Sequence, residues 1–483
     1  MGKAEERVIR SYLRRIETLA KGSSKRGFLA EGLQSFIDHQ SQVAELQRDI
    51  QREIAAVKPK ARRDRALIAH LRELRVVRWH SRRVGDGLAW RVLLHDKQAI
   101  YALGKNARVP LAPKEDDGSR GVGISAANFL NEGWGLPIIH DITDCLRIGD
   151  LTLLSFGDDS SERFFRTLEI KTTRISQTEG DDGSVSLDLR VSAIGTESFP
   201  EVSARPIPEL KASPIPQDTN ASTQKRREDR RIPKQFERMV EAVAYRTAEA
   251  DKVNKIGDTL HLALEADYEE KPHWAELRRT IREARREGFS YFSIDEFVGY
   301  GIWYNAQGLE PGDVKKYDLN TRIQQSIVKE ALGERNRLTI QQIPIAEDNE
   351  FARFVLPFTA YDIPHRAISD MLHGRLLIAA FVNTGVIEQA LEGAGFTVLR
   401  RPGKDDPRSF TLRGELHWPT GEAIWTEIPA PWVEIWSAVH EFLALESIIS
   451  KSSTILALPT KIPFEDFSPE KLEASMAGEE VSS

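Results

Sequence analysis

The sequence predicts an α+β protein of several domains, and three observations carry that reading. Apolar residues recur at helical spacing through the first 80 positions. Two strand-like runs flank a polar turn near residue 160, with a third run after them. Beyond about residue 337, strand-like and helix-like segments alternate. At 483 residues the chain has room for roughly two to four domains with sizeable cores.

Composition sets the class. Hydrophobic residues make up 40% and charged residues 29%, as in soluble globular proteins. No run of about 18 apolar residues occurs, so no membrane contact is expected. The opening "MGKAEERVIRSYLRR" is charged and lacks an apolar stretch, so it does not read as a secretory signal. Cys145 is the only cysteine, which excludes internal disulfides and Cys-based zinc clusters. A reducing, cytoplasmic compartment is expected. The net charge of −6 conceals an asymmetry: residues 1–109 hold 24 Lys/Arg against 12 Asp/Glu, whereas the whole chain holds 67 against 73. A basic end on an acidic chain points to a polyanion partner or an intramolecular clamp.

Residues 1–83 read as a basic helical region. Val43, Leu46, Ile50, Ile54 and Val57 form one apolar stripe before Pro59. Leu67, Ile68, Leu71 and Leu74 form a second after the basic turn "KPKARRDR", so a helical hairpin is expected. Arg72, Arg75, Arg78, Arg82 and Arg83 would line an exposed face, either solvated or set against nucleic acid.

Residues 84–196 have a different texture. "GLAWRVLLHDKQAIYAL" is a strand or a helix packed on a core. "GVGISA" at Gly121–Ala126 matches a dinucleotide-binding fingerprint but follows "APKEDDGSR" rather than a strand, so it reads as a flexible loop. A helix then covers "ISAANFLNEGWG", with Ser125 as its N-cap. Strands are expected at Asp150–Phe156, Phe164–Thr172 and Ser184–Ile194. Residues 197–232, rich in Pro and Ser, form a linker or insertion ending in Lys225, Arg226, Arg227, Arg230 and Arg231.

Residues 233–463 begin helical, with one helix from Pro233 and another over Trp274–Arg286. An α+β region follows, closed by a single helix over "PWVEIWSAVHEFLALESII". Residues 464–483 form a disordered acidic tail.

The chemistry concentrates in residues 150–171. Pairing the two runs symmetrically about "GDDSSE" sets Phe156 against Arg163 and Asp150 against Glu169. Opposite residues of an antiparallel pair share a face, with Cβ atoms roughly 5 Å apart. Lys171, two positions on, points to the same side. Two carboxylates set opposite one another repel unless a cation lies between them. Mg²⁺ suits such a place, because it prefers hard oxygen ligands and takes one or two carboxylates along with waters and phosphate oxygens. The alternative is a surface hairpin with solvated charges.

An acid at a strand start, "IGD" ending at Asp150, followed by acid-x-lysine in "LEIK" at Leu168–Lys171, resembles the PD-(D/E)XK superfamily of restriction-endonuclease-like nucleases. The likeness covers about residues 120–195 and departs from the literal motif in having Gly149 where its name has proline. It implies an α/β core with a mixed sheet and Mg²⁺ or Mn²⁺ held by Asp150, Glu169 and the Ile170 carbonyl. It further implies Lys171 at the attacking water, and Glu132 as an added acid from the preceding helix. The implied activity is phosphodiester hydrolysis of DNA, less so of RNA, within a restriction or phage-defence system.

Arg75, Arg78, Arg82, Arg226, Arg227 and Arg230 are the candidate nucleic-acid contacts. No G-x-x-x-x-G-K-[ST] loop occurs, so an energy-driven step would need a partner subunit with NTPase activity; self-association into a homo-oligomer is a further expectation. His140, Asp141 and Asp144 are expected to cap and bond the approach to the first strand, and His365, Asp370 and His373 to be structural. The rival reading is a nucleic-acid-binding or scaffold protein with a structural hairpin.

Overall fold

The computed structural model describes residues 2–24, 33–104, 113, 116–156, 163–179, 185–195, 238–239, 253–256, 259–262, 270–308, 325–326, 328–330, 338–343, 355–400, 410–417, 421, 423–429 and 432–456. The linker at 197–232, its basic cluster, the turn "GDDSSE", most of the helix expected from Pro233 and the acidic tail lie outside these. The chain divides into two compact units, Met1–Thr247 and Ala248–Ser483. Helices and several small antiparallel sheets make it α+β. Among the described residues no helix is long and apolar enough to cross a membrane.

In the first unit, α1 (Lys3–Ser24), α2 (Leu33–Val57) and α3 (Arg65–Val92) pack on one another. The stripe Val43, Leu46, Ile50, Ile54 and Val57 is buried, as the spacing predicts, while Ile68 at the start of α3 is 36% exposed. Asp64 caps α3 by accepting the N–H groups of Ala66 and Leu67. Position 83/84, expected as a boundary, lies inside α3, so "GLAWRV" is helical. Helices and sheet here form a single unit. Gly85 explains how α3 passes so close to the next segment: a Cβ there would sit 1.9 Å from the Ile142 carbonyl oxygen.

After α4 (Lys97–Gly104), α5 (Asp117–Asn131) starts earlier than expected, because Asp116 caps it by accepting the Ser119 N–H. "GVGISA" is therefore helical, and Ser125 is buried inside the helix instead of capping it. Gly121 lets α5 lie against the sheet, since a Cβ would fall 1.8 Å from Thr172 Oγ1.

The sheet is a meander of β1 (Leu136–Ile139), β2 (Leu151–Phe156), β3 (Arg163–Glu179) and β4 (Val185–Gly195), with every pairing antiparallel. The expected mixed sheet is corrected. Connections this short can join only antiparallel neighbours, whereas a parallel pair needs a crossover of a dozen or more residues. Strand β1 has no counterpart in the sequence reading. It is four residues long and sits at the sheet edge, where Gln40 of α2 donates to the Pro137 carbonyl and accepts the Ile139 N–H, both at 2.9 Å.

The second unit holds the hairpin β5–β6 (Val253–Ile256, Thr259–Leu262) and α6 (Trp274–Glu287). The latter packs on a sheet of β7 (Phe289–Ile294), β8 (Val298–Tyr304), β9 (Leu338–Ile343) and β10 (Leu376–Asn383) in the order β7-β8-β10-β9. Helices α7 (His365–Leu372) and α8 (Thr384–Gly393) and a second sheet, β11 (Thr397–Arg400), β12 (Phe410–His417) and β13 (Ala423–Pro429), follow. The closing helix is two, α9 (Trp432–Glu441) and α10 (Leu445–Leu456). Phe442 breaks it, with φ of +56° and its ring 4.7 Å from that of buried Tyr300. Asp370 pairs with Arg285 and Arg375, a structural role as expected.

Gly85→Ala tests the contact that seats α3 on the segment ahead of β2. The clash is with backbone, which cannot swing aside, so the variant should lose about 1–3 kcal/mol in denaturant unfolding. An unchanged midpoint would show that the segment is not held there.

Candidate active site

The site forms where β2 begins beside the middle of β3. Gly149 turns the chain into β2 with φ of +76°, and a Cβ there would meet the Leu168 carbonyl oxygen at 2.9 Å. The ladder runs from Phe156↔Arg163 to Leu151↔Leu168, the register the symmetric pairing predicts. Asp150 stands just outside the ladder: its N–H donates at 2.8 Å to the carbonyl of Leu168, the residue already opposite Leu151, so the expected Asp150–Glu169 pair does not extend the register. Lys171 Nζ donates to Glu169 Oε1 at 2.6 Å, and Asp150 Oδ2 accepts the Ile170 N–H at 2.8 Å. Glu169 is buried, whereas the Lys171 side chain is 34% exposed and gives the cluster its face to solvent.

Charge is unbalanced at this point. The Asp150 carboxyl is pushed up to about 7, first by burial and then by the Glu169 charge. The Ile170 N–H and the Lys171 ammonium oppose the shift, and Asp141 adds to it. Asp141 lies in the 3₁₀ turn His140–Ile142, and its carbonyl accepts from Arg82.

His140 and Asp144 are structural, as expected. The Gly149 carbonyl can only accept, so Nδ1 of His140 carries the ring proton and donates to it at 3.2 Å. Nε2 then accepts from Thr152 Oγ1 at 2.8 Å, and Thr152 accepts in turn from Thr167 Oγ1 at 3.2 Å. This relay runs from the 3₁₀ turn after β1 across β2 to β3. Burial holds His140 neutral by pushing it down to about 3. Beyond it, Asp86 accepts the N–H groups of Asp144 and Cys145. Arg82, Arg83 and Arg147 pair with Asp86 and Asp144 in a buried ionic cluster.

The other predicted residues fall elsewhere. Glu132 is exposed at the C-terminal end of α5, where its Oε2 accepts the Trp134 indole N–H at 3.0 Å, and it is not among the groups acting on Asp150. Asp141 is the acid that does act there. Arg82 and Arg83 are buried with their carboxylates, which corrects the expected exposed face. They fall on the inward side of α3 once that helix continues past residue 83. Arg72 and Arg75 are exposed, and half-buried Arg78 reaches Gln51. Arg226, Arg227 and Arg230 lie outside the described residues.

Among the described residues, no group of three or more His, Cys, Asp or Glu side chains is placed to hold a metal. Two neighbouring carboxyls, one of them held protonated by burial and by the other's charge, still match the hard-oxygen, one-or-two-carboxylate preference of Mg²⁺. The donor set fits that ion, with Asp150, Glu169 and the Ile170 carbonyl as the groups to hold it. The chain shows no significant match to any protein-family model, curated protein or solved structure.

Asp150→Asn tests the charge imbalance. The folded protein binds the Asp150 proton more tightly than the unfolded chain does. That contribution is complete below the ordinary carboxylate range and fades as pH rises through about 7. Asparagine has no such loss, so between pH 5 and 8 the variant should gain on the wild type by on the order of 2 kcal/mol in unfolding free energy. A difference independent of pH would show that Asp150 ionises normally.

Proposed function

We propose that the chain hydrolyses phosphodiester bonds with a divalent cation, Mg²⁺ or Mn²⁺, and that DNA is its substrate. One observation carries this: the Asp150 carboxylate accepts the N–H of Ile170, which lies between Glu169 and Lys171, and Lys171 is bonded to Glu169. The order of helix α5, Asp150 and Glu169 along the chain is what the resemblance to restriction-endonuclease-like nucleases rests on, and the all-antiparallel sheet is not the mixed one it implies.

Asp150 and Glu169 would hold the cation, which when bound supplies positive charge to the scissile phosphate and lowers the pKa of a nearby water. The remaining work falls to the chain. Lys171, at the solvent edge of the cluster, offers its ammonium to the attacking water or to the charge that develops on phosphorus. Water adds to phosphorus, the bond to the leaving oxygen breaks, and the leaving oxygen takes up a proton. The His140 relay holds the start of β2 so that Asp150 keeps its place.

A specific observation favours a second reading. Asp150 and Glu169 each already accept a hydrogen bond within the protein, from Ile170 and Lys171. In a scaffold or binding protein, those bonds would be their whole purpose. Plasmid cleavage with Mg²⁺ separates the two. Under the nuclease reading, Glu169→Ala loses cleavage and metal affinity together. Lys171→Ala retains metal and DNA binding while cleavage falls by on the order of 10²-fold. Wild-type protein that never cuts would favour the scaffold, and a Lys171→Ala protein that cuts normally would remove Lys171 from the mechanism.

A further inference from the structure

A cavity of about 580 Å³ opens between α2, α5 and the turn that carries Asp141. Its size lies within the range of small-ligand pockets. Arg48 of α2 and Arg120 of α5 stand on its wall with apolar Val122 and Ile142. Asp141 and Asp116 also line it, and His140, next to Asp141 in the chain, donates its N–H to the Asp150 carbonyl at 3.0 Å, so cavity and carboxylates are neighbours.

Gly123 supplies an independent sign. It sits in the interior of α5 and lines the cavity, yet a Cβ there would meet nothing within 4 Å. Gly121, two residues earlier, is explained by Thr172, whereas packing gives no reason for Gly123. Glycine inside a helix is destabilising relative to alanine, and no turn or positive φ calls for it here. What its missing side chain preserves is open space on the cavity wall.

We propose that this cavity binds one nucleotide of the substrate strand next to the scissile phosphate, an assignment that rests on the nuclease reading. Arg48 and Arg120 take its phosphate, as guanidinium groups suit phosphate oxygens. Val122 packs against the base. Asp141 accepts from an exocyclic amino group, so the site prefers adenine, guanine and cytosine to thymine. The surface of Gly123 leaves room for the sugar.

Calorimetric titration of the full chain with deoxyadenosine 5′-monophosphate in EDTA, where no divalent cation contributes, tests the assignment. Wild-type protein should bind with millimolar or tighter affinity. Gly123→Leu should weaken binding at least about tenfold, and Arg120→Ala, an exposed change, should weaken it as well. Gly123→Ala should raise Tm by roughly 2 °C, because it removes a helix glycine, and yet weaken binding. This pairing of higher stability with poorer binding would not come from a structural glycine. Absence of wild-type binding, or binding that Gly123→Leu leaves unchanged, overturns the assignment. Plasmid cleavage by the wild type is scored separately. Cleavage without nucleotide binding removes the cavity proposal alone. Gly123-dependent binding without cleavage supports the cavity as a nucleotide site and removes the nuclease reading.

Discussion

Strand side chains alternate, so a slip of one residue between β2 and β3 would turn Glu169 and Lys171 to the other face of the sheet and take the Ile170 N–H away from the Asp150 carboxylate. Everything proposed for this molecule depends on that register. Several contacts fix it independently of the turn that joins the strands. Leu151, Leu153, Leu168 and Ile170 are buried, and so are Thr152, Thr167 and Glu169 between them, so both faces of the pair pack against protein. Thr152 and Thr167 pair across the ladder, and His140 of the 3₁₀ turn after β1 links Thr152 to the Gly149 carbonyl. Gln40 covers the β1 edge with its amide, which satisfies backbone groups that an edge strand would otherwise leave open to another chain.

Two buried charge clusters lie on either side of this framework, and they differ in kind. In the first, Arg82, Arg83 and Arg147 meet Asp86 and Asp144, with the N–H groups of Asp144 and Cys145 completing the Asp86 shell. Removing one partner from such a set leaves a buried charge uncompensated, so it ties α3 firmly to the turn before β2. The second cluster gathers Asp150, Glu169 and Lys171, and there burial first, then the Glu169 and Asp141 charges, raise the proton affinity of Asp150. A protein gains no stability from that arrangement near neutral pH. Perturbed carboxyls of this kind concentrate at functional sites, although structural ion networks also produce them.

Much of this was legible in the sequence where periodicity or a symmetric turn carried it. The stripe Val43 to Val57 announced α2, and the symmetry of "GDDSSE" announced the β2–β3 register, because both are local properties of the chain. The α5 boundary was misplaced because Asp116 competes with Ser125 as a cap, and only the packing of Gly121 on Thr172 shows that the glycines belong inside the helix. Strand β1 was hidden by its length of four residues and by Pro137, tolerable only at an edge. Arg82 and Arg83 read as surface charges because their partners, Asp86 and Asp144, are set by tertiary contact. The same holds for Asp141: nothing in "IIHDITD" distinguishes an acid aimed at Asp150 from one that caps a turn.

The central claim is that Asp150 and Glu169 form one cation site, and proton release on metal binding tests it most directly. Mn²⁺ is titrated calorimetrically near pH 6.5 in two buffers of different ionisation enthalpy, so that protons released per ion bound can be counted. Because Asp150 holds its proton up to about pH 7, binding at the pair should expel a substantial fraction of one proton, and Glu169→Ala should abolish binding. Binding with no proton release, or binding that survives Glu169→Ala, would contradict the claim.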